Sequence, residues 1–189
     1  MNGRARGPLP ARWWPLVVAA PVWLALVGCG GATSPGKAPV ILTGRLDRAA
    51  IERALPAWRD EAAQAAVDQT AARALGTVPP GATVLVLLGT WCGDSRREVS
   101  RLFRALELVP TTGGALPFDL QVVGVGRDKR DPEGLSDGKD LRFVPTLVVV
   151  RDGVEVGRIV ESAPNGVEVD LGRLLRGEAK GVLTARTGL

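Results

Sequence analysis

Residues 83–97 read Thr83-Val84-Leu85-Val86-Leu87-Leu88-Gly89-Thr90-Trp91-Cys92-Gly93-Asp94-Ser95-Arg96-Arg97. The first six residues form a continuous apolar run, which is typical of a strand buried on both faces of a central sheet. The residues after Cys92 follow an amphipathic helical pattern, with apolar positions at Val99, Leu102, Phe103 and Leu106. Cys92 is therefore predicted to lie at the N-terminal end of a helix, where unpaired backbone N–H groups and the helix dipole favour a thiolate.

The flanking sequence predicts an α/β domain built around this strand and helix. The spacing of apolar residues over Leu46–Leu75 predicts a helix that Pro56 should kink or divide. Leu120–Val125 predicts a second strand, parallel to the first and reached by a right-handed crossover. Two β-rich runs joined by Arg151-Asp152-Gly153 predict a hairpin, and Val167–Arg176 predicts a final short helix.

The first 28 residues have the organisation of an export signal. Three arginines precede an apolar run over Leu16–Val27 that is too short to span a bilayer comfortably. The run ends in Leu26-Val27-Gly28-Cys29, which resembles the lipobox of bacterial lipoproteins, in which the signal is removed before a cysteine that becomes lipid-modified. An uncleaved membrane anchor with an unmodified Cys29 is the alternative.

This organisation predicts three segments and a location. We expect a lipoprotein signal peptide over residues 1–28, a lipidated flexible tether over residues 29–39 and a globular domain over residues 40–189. The domain would then lie in the bacterial cell envelope, lipid-anchored at the periplasmic face of a membrane. Gly30 after the lipidated cysteine resembles the pattern of outer-membrane rather than inner-membrane lipoproteins.

The composition leaves the cysteine sulfur as the main candidate for a reacting group. Without Arg4, Arg6 and Arg12 the 24 basic residues fall to 21 against 20 acidic ones, so charge gives no argument for a nucleic-acid partner. The chain contains no histidine, which excludes Cys–His and Ser–His–Asp pairs and the usual zinc ligand sets. The polar stretch 127–142 lacks the ligand spacing of a calcium loop and predicts a solvated loop. We expect no metal and no cofactor.

The run Trp91-Cys92-Gly93-Asp94-Ser95 resembles the thioredoxin active-site motif Trp-Cys-Gly-Pro-Cys, and Val144-Pro145-Thr146 follows about 53 positions later. Together with the order of the predicted elements, these motifs are similar to the thioredoxin fold from about residue 38 to residue 177, a central mixed β-sheet flanked by helices. The resemblance implies that Pro145 is cis and faces Cys92, and that Trp91, Val144, Pro145 and Thr146 bind an extended substrate. An ordinary strand-initiating proline is the alternative.

Two departures from the thioredoxin motif bear on activity. Thioredoxins carry a buried acid at the position of Val86, and residues 84–88 hold no ionisable group. Ser95 stands where thioredoxins have the second cysteine, and a hydroxyl cannot resolve a mixed disulfide. Cys92 is thus the predicted nucleophile, with Ser95 as a hydrogen-bond partner of its sulfur or, alternatively, as a capping residue alone.

Three charged residues next to Cys92 are predicted to tune its thiolate. Asp94 in the first helical turn suits the helix dipole, but its charge opposes a neighbouring thiolate. Arg96 and Arg97 favour the thiolate.

The leading hypothesis is monothiol thiol–disulfide exchange on envelope proteins, by isomerisation or by mixed-disulfide chemistry. With Cys29 lipidated, Cys92 is the single free thiol of the mature chain. The expected partners are exported proteins with disulfides or thiols, together with a separate dithiol protein or a glutathione-type thiol. The alternatives are a non-catalytic thioredoxin-like module that holds an envelope partner and, third, a thiol peroxidase.

Overall fold

The computed structural model describes residues 2–3, 40–110 and 115–188. The chain divides into one unit over Met1–Lys37 and a second over Ala38–Leu189. Apart from residues 2–3, the predicted signal peptide lies outside the described residues, as do Cys29 and the tether predicted over residues 29–39, so all three stay predictions. In the part of the chain that is described, no helix combines the length and the apolar character needed to cross a membrane.

A six-stranded mixed β-sheet, flanked by helices, forms the second unit. Its strands are β1 (Gly44–Leu46), β2 (Ala82–Leu88), β3 (Phe118–Gly124), β4 (Thr146–Arg151), β5 (Val154–Val160) and β6 (Gly181–Leu183). They lie in the order β1-β3-β2-β4-β5-β6. The central strand β2 pairs parallel with β3, as predicted, and antiparallel with β4. The short edge strands β1 and β6 were not predicted.

In the described part of the chain, five α-helices accompany the sheet: α1 (Arg48–Ala54), α2 (Pro56–Gln64), α3 (Gln69–Ala74), α4 (Gly93–Leu106) and α5 (Val167–Leu175). Pro56 divides the predicted first helix and begins α2, because proline needs no hydrogen-bond partner for its nitrogen at that position. A second break was not predicted. Asp68 causes it by accepting hydrogen bonds from the backbone N–H groups of Thr70 and Ala71, which caps α3.

The hairpin of β4 and β5 forms as predicted. Its two turn residues, Asp152 and Gly153, have φ angles of 53° and 76°, which match the twist of the paired strands.

The helices pack on one face of the sheet. Val84, Val86 and Leu88 of β2 belong to the main hydrophobic core, which also contains the buried side chains of α1, α2, α4 and α5. Because side chains alternate along a strand, Leu85 and Leu87 point to the opposite face. The central strand is therefore buried on both faces, as its continuous apolar run predicted.

The connection between β3 and β4 covers that opposite face. Its Leu135 and Leu141 pack on a small cluster that includes Leu85 and Leu87. Asp131 organises this connection by accepting four hydrogen bonds, from the hydroxyl of Ser136 and from the backbone N–H groups of residues 133, 135 and 136. Burial opposes ionisation of this carboxyl, but the hydrogen bonds outweigh it and lower the pKa of Asp131. The stretch lacks helices and strands as predicted, but it is partly buried rather than simply solvated.

An ion pair with one fully buried partner joins α4 to α5. Arg101 donates from Nε and Nη2 to the two carboxylate oxygens of Glu168, at 2.9 and 2.7 Å. The Glu168 side chain is 0% exposed, and its Oε1 also accepts the backbone N–H of Asp68 at 2.8 Å. The hydrogen bonds to Glu168 outweigh desolvation and raise the pKa of Arg101. Gly166 makes room for this pair, because its φ is +97° and a Cβ there would lie 2.3 Å from Nη2 of Arg101.

Replacing Arg101 by methionine should destabilise the domain by about 2–4 kcal/mol, because the Glu168 carboxylate would stay buried without its cation. The partial exposure of Arg101 places the expected loss toward the lower end of that range. Urea denaturation measures it. Arg104→Met is the matched control on the same helix, since it breaks an exposed pair with Glu107 and should cost about 0–1 kcal/mol. Equal losses in the two variants would contradict this assignment.

Candidate functional site

The candidate site lies where β2 ends and α4 begins. Cys92 is the N-cap residue of α4, with φ −100° and ψ 128°, and its side chain is half-buried. The N–H of Cys92 donates to the carbonyl of Gly89 at 2.9 Å, and the carbonyl of Cys92 accepts the N–H of Arg96 at 3.1 Å. The helix begins where the sequence predicted it, so the sulfur sits beside the unpaired N–H groups of the first turn.

The hydroxyl of Ser95 holds this turn closed. Ser95 is 0% exposed, and its Oγ accepts a hydrogen bond from the backbone N–H of Gly89 at 3.1 Å. The sequence predicted either a hydrogen bond from Ser95 to the Cys92 sulfur or a capping role alone. The structure instead gives Ser95 a positioning role, since its hydroxyl ties α4 back to the end of β2.

The Cys92 sulfur faces the segment that contains Pro145. The thiol donates from Sγ to the carbonyl of Val144 at 3.3 Å. The Val144–Pro145 peptide bond is cis, which confirms that part of the prediction. Thr146 is 2% exposed and its hydroxyl donates to the carbonyl of Phe143 at 2.8 Å. Val144 and Pro145 thus come together with Cys92 as expected, whereas the Thr146 side chain shapes the loop and is not accessible to a substrate.

Trp91 is fixed by contacts that the sequence analysis missed. Its Nε1 donates to the carbonyl of Val125 at 3.2 Å, and the guanidinium of Arg127 lies 5.1 Å from the centre of its ring. The ring packs so closely on Gly89 that a Cβ there would come within 2.7 Å of it. Val125 and Arg127 follow β3, and the carboxyl ends of parallel strands meet at one edge of a sheet. Applied to β2 and β3, that rule could have predicted that Val125 and Arg127 lie near Trp91.

Thr90 connects the site to the beginning of the domain. Its hydroxyl accepts the N–H of Leu42 at 3.0 Å and donates to the carbonyl of Val40 at 3.1 Å. The first described residues of the domain therefore contact Thr90, which lies two positions before Cys92 in the sequence. No local sequence pattern indicates this contact.

The three charges predicted to tune the thiolate are engaged in ion pairs. Arg96 pairs with Glu61 of α2 at 3.2 Å, and Arg97 pairs with Asp94 at 2.8 Å and with Glu98 at 3.3 Å. Desolvation opposes the charge of Arg97, but its two carboxylate partners outweigh it and raise the pKa of Arg97. Because each arginine is paired with a carboxylate, the effect expected of Arg96 and Arg97 is reduced.

Among the described residues, no group of three or more potential metal-ligating side chains converges on one point. No protein-family model matches the sequence. No curated protein matches it either.

Two solved structures are similar to the chain. One is a protein of unknown function from Pseudomonas aeruginosa, with 15% sequence identity, a TM-score of 0.42, and coverage of 70% of this chain and 82% of that one. The other is an HIV epitope-scaffold, with 19% identity, a TM-score of 0.42, and coverage of 70% and 79%. Similarity of this size assigns no function. The class of the site follows from its own geometry: an α/β domain presents one thiol at a helix N-terminus, against a cis-proline segment.

Ser95→Ala should lower the stability of the domain by about 1–3 kcal/mol, because the buried N–H of Gly89 loses its acceptor. It should also slow alkylation of Cys92 by iodoacetamide at neutral pH, because the first turn of α4 is no longer held against β2. Ser100→Ala is the matched control, since Ser100 is also buried on α4 but donates to the carbonyl of Trp58. An equal change of alkylation rate in both variants would show that Ser95 has no special link to the sulfur.

Proposed function

We propose that this protein is a thioredoxin-like lipoprotein of the bacterial cell envelope that carries out monothiol thiol–disulfide exchange on envelope proteins. One observation carries the proposal: the sulfur of Cys92 lies at the N-terminus of α4 and within 3.3 Å of the carbonyl of Val144, beside Pro145. Helix N–H groups stabilise a thiolate on one side of the sulfur. The segment on the other side supplies backbone groups for an extended substrate.

The order of elements supports a thioredoxin-like assignment. A helical segment, β2, the Trp-Cys motif, α4, β3, the Val-Pro-Thr motif, the β4–β5 hairpin and α5 follow one another as that resemblance implies. The predicted order of elements did not include the edge strands β1 and β6 or the packing of the helices on one face of the sheet.

The proposed exchange is a direct displacement at sulfur. The Cys92 thiolate attacks one sulfur of a client disulfide and forms a new S–S bond to it. The client's S–S bond breaks, and its electron pair leaves with the other sulfur, which then takes a proton from water. A second client thiol, or a glutathione-type thiol, attacks the mixed disulfide and restores the Cys92 thiolate. When a second client thiolate makes this attack, the new disulfide lies within the client and the net result is isomerisation. When a glutathione-type thiolate makes it, one client sulfur is left as a thiol and the other stays in a mixed disulfide with the small thiol.

Proton transfer in this cycle uses water or the carboxylate of Asp94, which is paired with Arg97. Val86, at the position where thioredoxins carry a buried acid, is 0% exposed in the main core, and its side chain cannot accept a proton. Cys92 itself is half-buried, so water can reach its sulfur. In the resting thiol the carbonyl of Val144 accepts the S–H, and loss of the proton frees that carbonyl for a client backbone.

A binding module without turnover is the second candidate. The buried Ser95, bonded to Gly89, offers no sulfur that could release a mixed disulfide from within the chain. A client captured on Cys92 would then stay bound until an external thiol arrives.

Catalysed refolding of a scrambled-disulfide protein in a glutathione buffer separates the two candidates. The wild-type protein should accelerate recovery of the native disulfides, and Cys92→Ala should remove the acceleration, because sulfur is the reacting atom. Formation of mixed disulfides with the client, without faster recovery of its native disulfides, would favour the binding module. Equal client association in the wild type and in Cys92→Ala would show that the sulfur is not the working group.

Ser95→Cys provides a second arm of this experiment. Positions 92 and 95 lie one helical turn apart, so two sulfurs there can reach disulfide geometry. The variant should release its mixed disulfides without added thiol and accumulate an internal disulfide, detected as a loss of two free thiols. Persistence of the mixed disulfides would contradict the proposed orientation of Cys92.

The membrane anchor on Cys29 is part of the proposal. Val40 follows Cys29 by 11 positions and is hydrogen-bonded to Thr90 within the site. A stretch of that length extends to at most about 40 Å. Lipid on Cys29 would therefore keep Cys92 close to the membrane surface, where envelope clients are attached or secreted.

The mature protein should partition into the detergent phase, and Cys29→Ser should move it to the aqueous phase, because several acyl chains hold a protein firmly at a membrane. Mass spectrometry of the purified protein checks the modification directly. An unmodified Cys29 sulfur would overturn the lipid anchor and leave the thiol chemistry to be judged by the refolding experiment.

A further inference from the structure

A short basic turn follows β3 beside the Cys92 site. We define this basic turn as residues 126–130, which carry Arg127, Lys129 and Arg130 against one acid, Asp128. The turn is closed by backbone hydrogen bonds from Gly126 to the carbonyl of Arg130 at 2.9 Å and from Lys129 to the carbonyl of Gly126 at 3.0 Å. The residue before it, Val125, donates its N–H to Leu88, the last residue of β2, at 2.8 Å. The basic turn and the Trp-Cys motif therefore start from the same edge of the sheet.

Arg127 contacts the ring of Trp91, the residue that precedes Cys92 in the sequence. That ring is held by its bond to the carbonyl of Val125 and by its contact with Gly89. The Arg127 guanidinium lies 5.1 Å from the ring centre, within the range of a cation–π interaction. A guanidinium in such a contact can still donate N–H groups to a ligand.

The charge of Arg127 is not balanced by a neighbouring acid. Within residues 40–110 and 115–188, the cations of the basic turn form no ion pair. The carboxylate of Asp128 is turned into the basic turn itself, where Oδ1 accepts the N–H of Arg130 at 3.2 Å. Arg186, which stacks on Phe143 next to Val144, is in contrast paired with Glu161 at 2.6 Å.

Arg127 differs in this respect from the two arginines of α4. Arg96 and Arg97 pair with carboxylates, whereas Arg127 is exposed and, among the described residues, forms no ion pair. An unpaired guanidinium attracts carboxylates and binds them with two parallel hydrogen bonds.

We propose that Arg127, seated on Trp91, selects disulfides and thiols that carry a carboxylate close to the reacting sulfur. This inference rests on the proposed exchange reaction and names its substrate class. As Cys92 attacks, its sulfur bonds to the client sulfur, the client's S–S bond breaks, and the electron pair leaves with the departing sulfur. Arg127 acts on approach and orientation, not on the bonds that form and break. The carboxylate belongs either to an acidic residue beside a client cysteine or to a small anionic thiol of the glutathione type.

This substrate preference can be tested with mixed disulfides of 2-thiopyridine, because every reagent then releases the same leaving group. Peptides with glutamate on both sides of one cysteine, and the same peptides with glutamine, are converted to mixed disulfides with 2-thiopyridine. Attack by Cys92 at the peptide sulfur releases 2-thiopyridone, whose absorbance gives the second-order rate. Glutathione and its diester, treated in the same way, form the small-thiol arm.

The full-length wild-type protein should react about three- to tenfold faster with the glutamate peptide than with the glutamine peptide at low ionic strength, and salt should reduce this ratio. Arg127→Gln should bring the ratio close to one, and Arg127→Lys should keep most of it. Arg73→Gln is the control, since it removes an exposed arginine of α3 and should leave the ratio as in the wild type. Preference for glutathione over its diester would extend the class to small thiols, whereas preference in the peptide arm alone would assign it to acidic polypeptides.

Two results would overturn the inference in distinguishable ways. Equal rates for both peptides in the wild-type protein, or the same ratio in Arg127→Gln, would reject the role of Arg127 while leaving the exchange reaction intact. Release no faster than in Cys92→Ala with every reagent would reject the exchange reaction itself, and the substrate class with it.

Discussion

The hydrogen bond from the backbone N–H of Gly89 to the buried hydroxyl of Ser95 closes the turn between β2 and α4, and the geometry of the whole site depends on this turn. Neither neighbouring element has freedom to move. The strand β2 is buried on both faces, and α4 packs on the main core through side chains such as Leu102. The Trp91 ring fills the space beside Gly89, where even one methyl group has no room. The sulfur of Cys92 is thereby positioned against the carbonyl of Val144; in the proposed exchange, such a preformed site would bind a client without rearrangement.

The main elements of the fold were predictable because strong local signals encode them. A continuous apolar run gave β2, amphipathic spacing gave α4, and Asp152-Gly153 gave the hairpin. The strands β1 and β6 could not be predicted, since three residues are too few to show a period and such strands exist only through pairing with a neighbour. The break before α3 depended on one capping contact of Asp68, whose energy is small beside that of the helical pattern on either side.

The placement of the sulfur and of the proline was predictable, and the pairing of the charged side chains was not. The motif placed a sulfur at a helix N-terminus and a proline opposite it, because both are properties of short sequence runs. The partners of the charged side chains come from distant positions: Glu61 lies on another helix from Arg96, and Arg127 reaches Trp91 from the end of a neighbouring strand. The sequence predicted that the charges of Arg96 and Arg97 favour a thiolate on Cys92, but carboxylate partners balance both charges. Among the described residues Arg127, in contact with the Trp91 ring, forms no ion pair.

The identity of residue 95 links the rigidity of the site to its dependence on outside thiols. A hydroxyl oxygen is a good acceptor for the N–H of Gly89, whereas a thiol sulfur is a weak one. A second cysteine at this position would resolve mixed disulfides from within the chain but would hold the turn less firmly. With Ser95 the turn is firm, and in the proposed exchange a captured client would have to be released by another molecule. Under that proposal the rate of release would depend on which thiol can approach Cys92, and Arg127, in contact with the Trp91 ring, is the group proposed to select it.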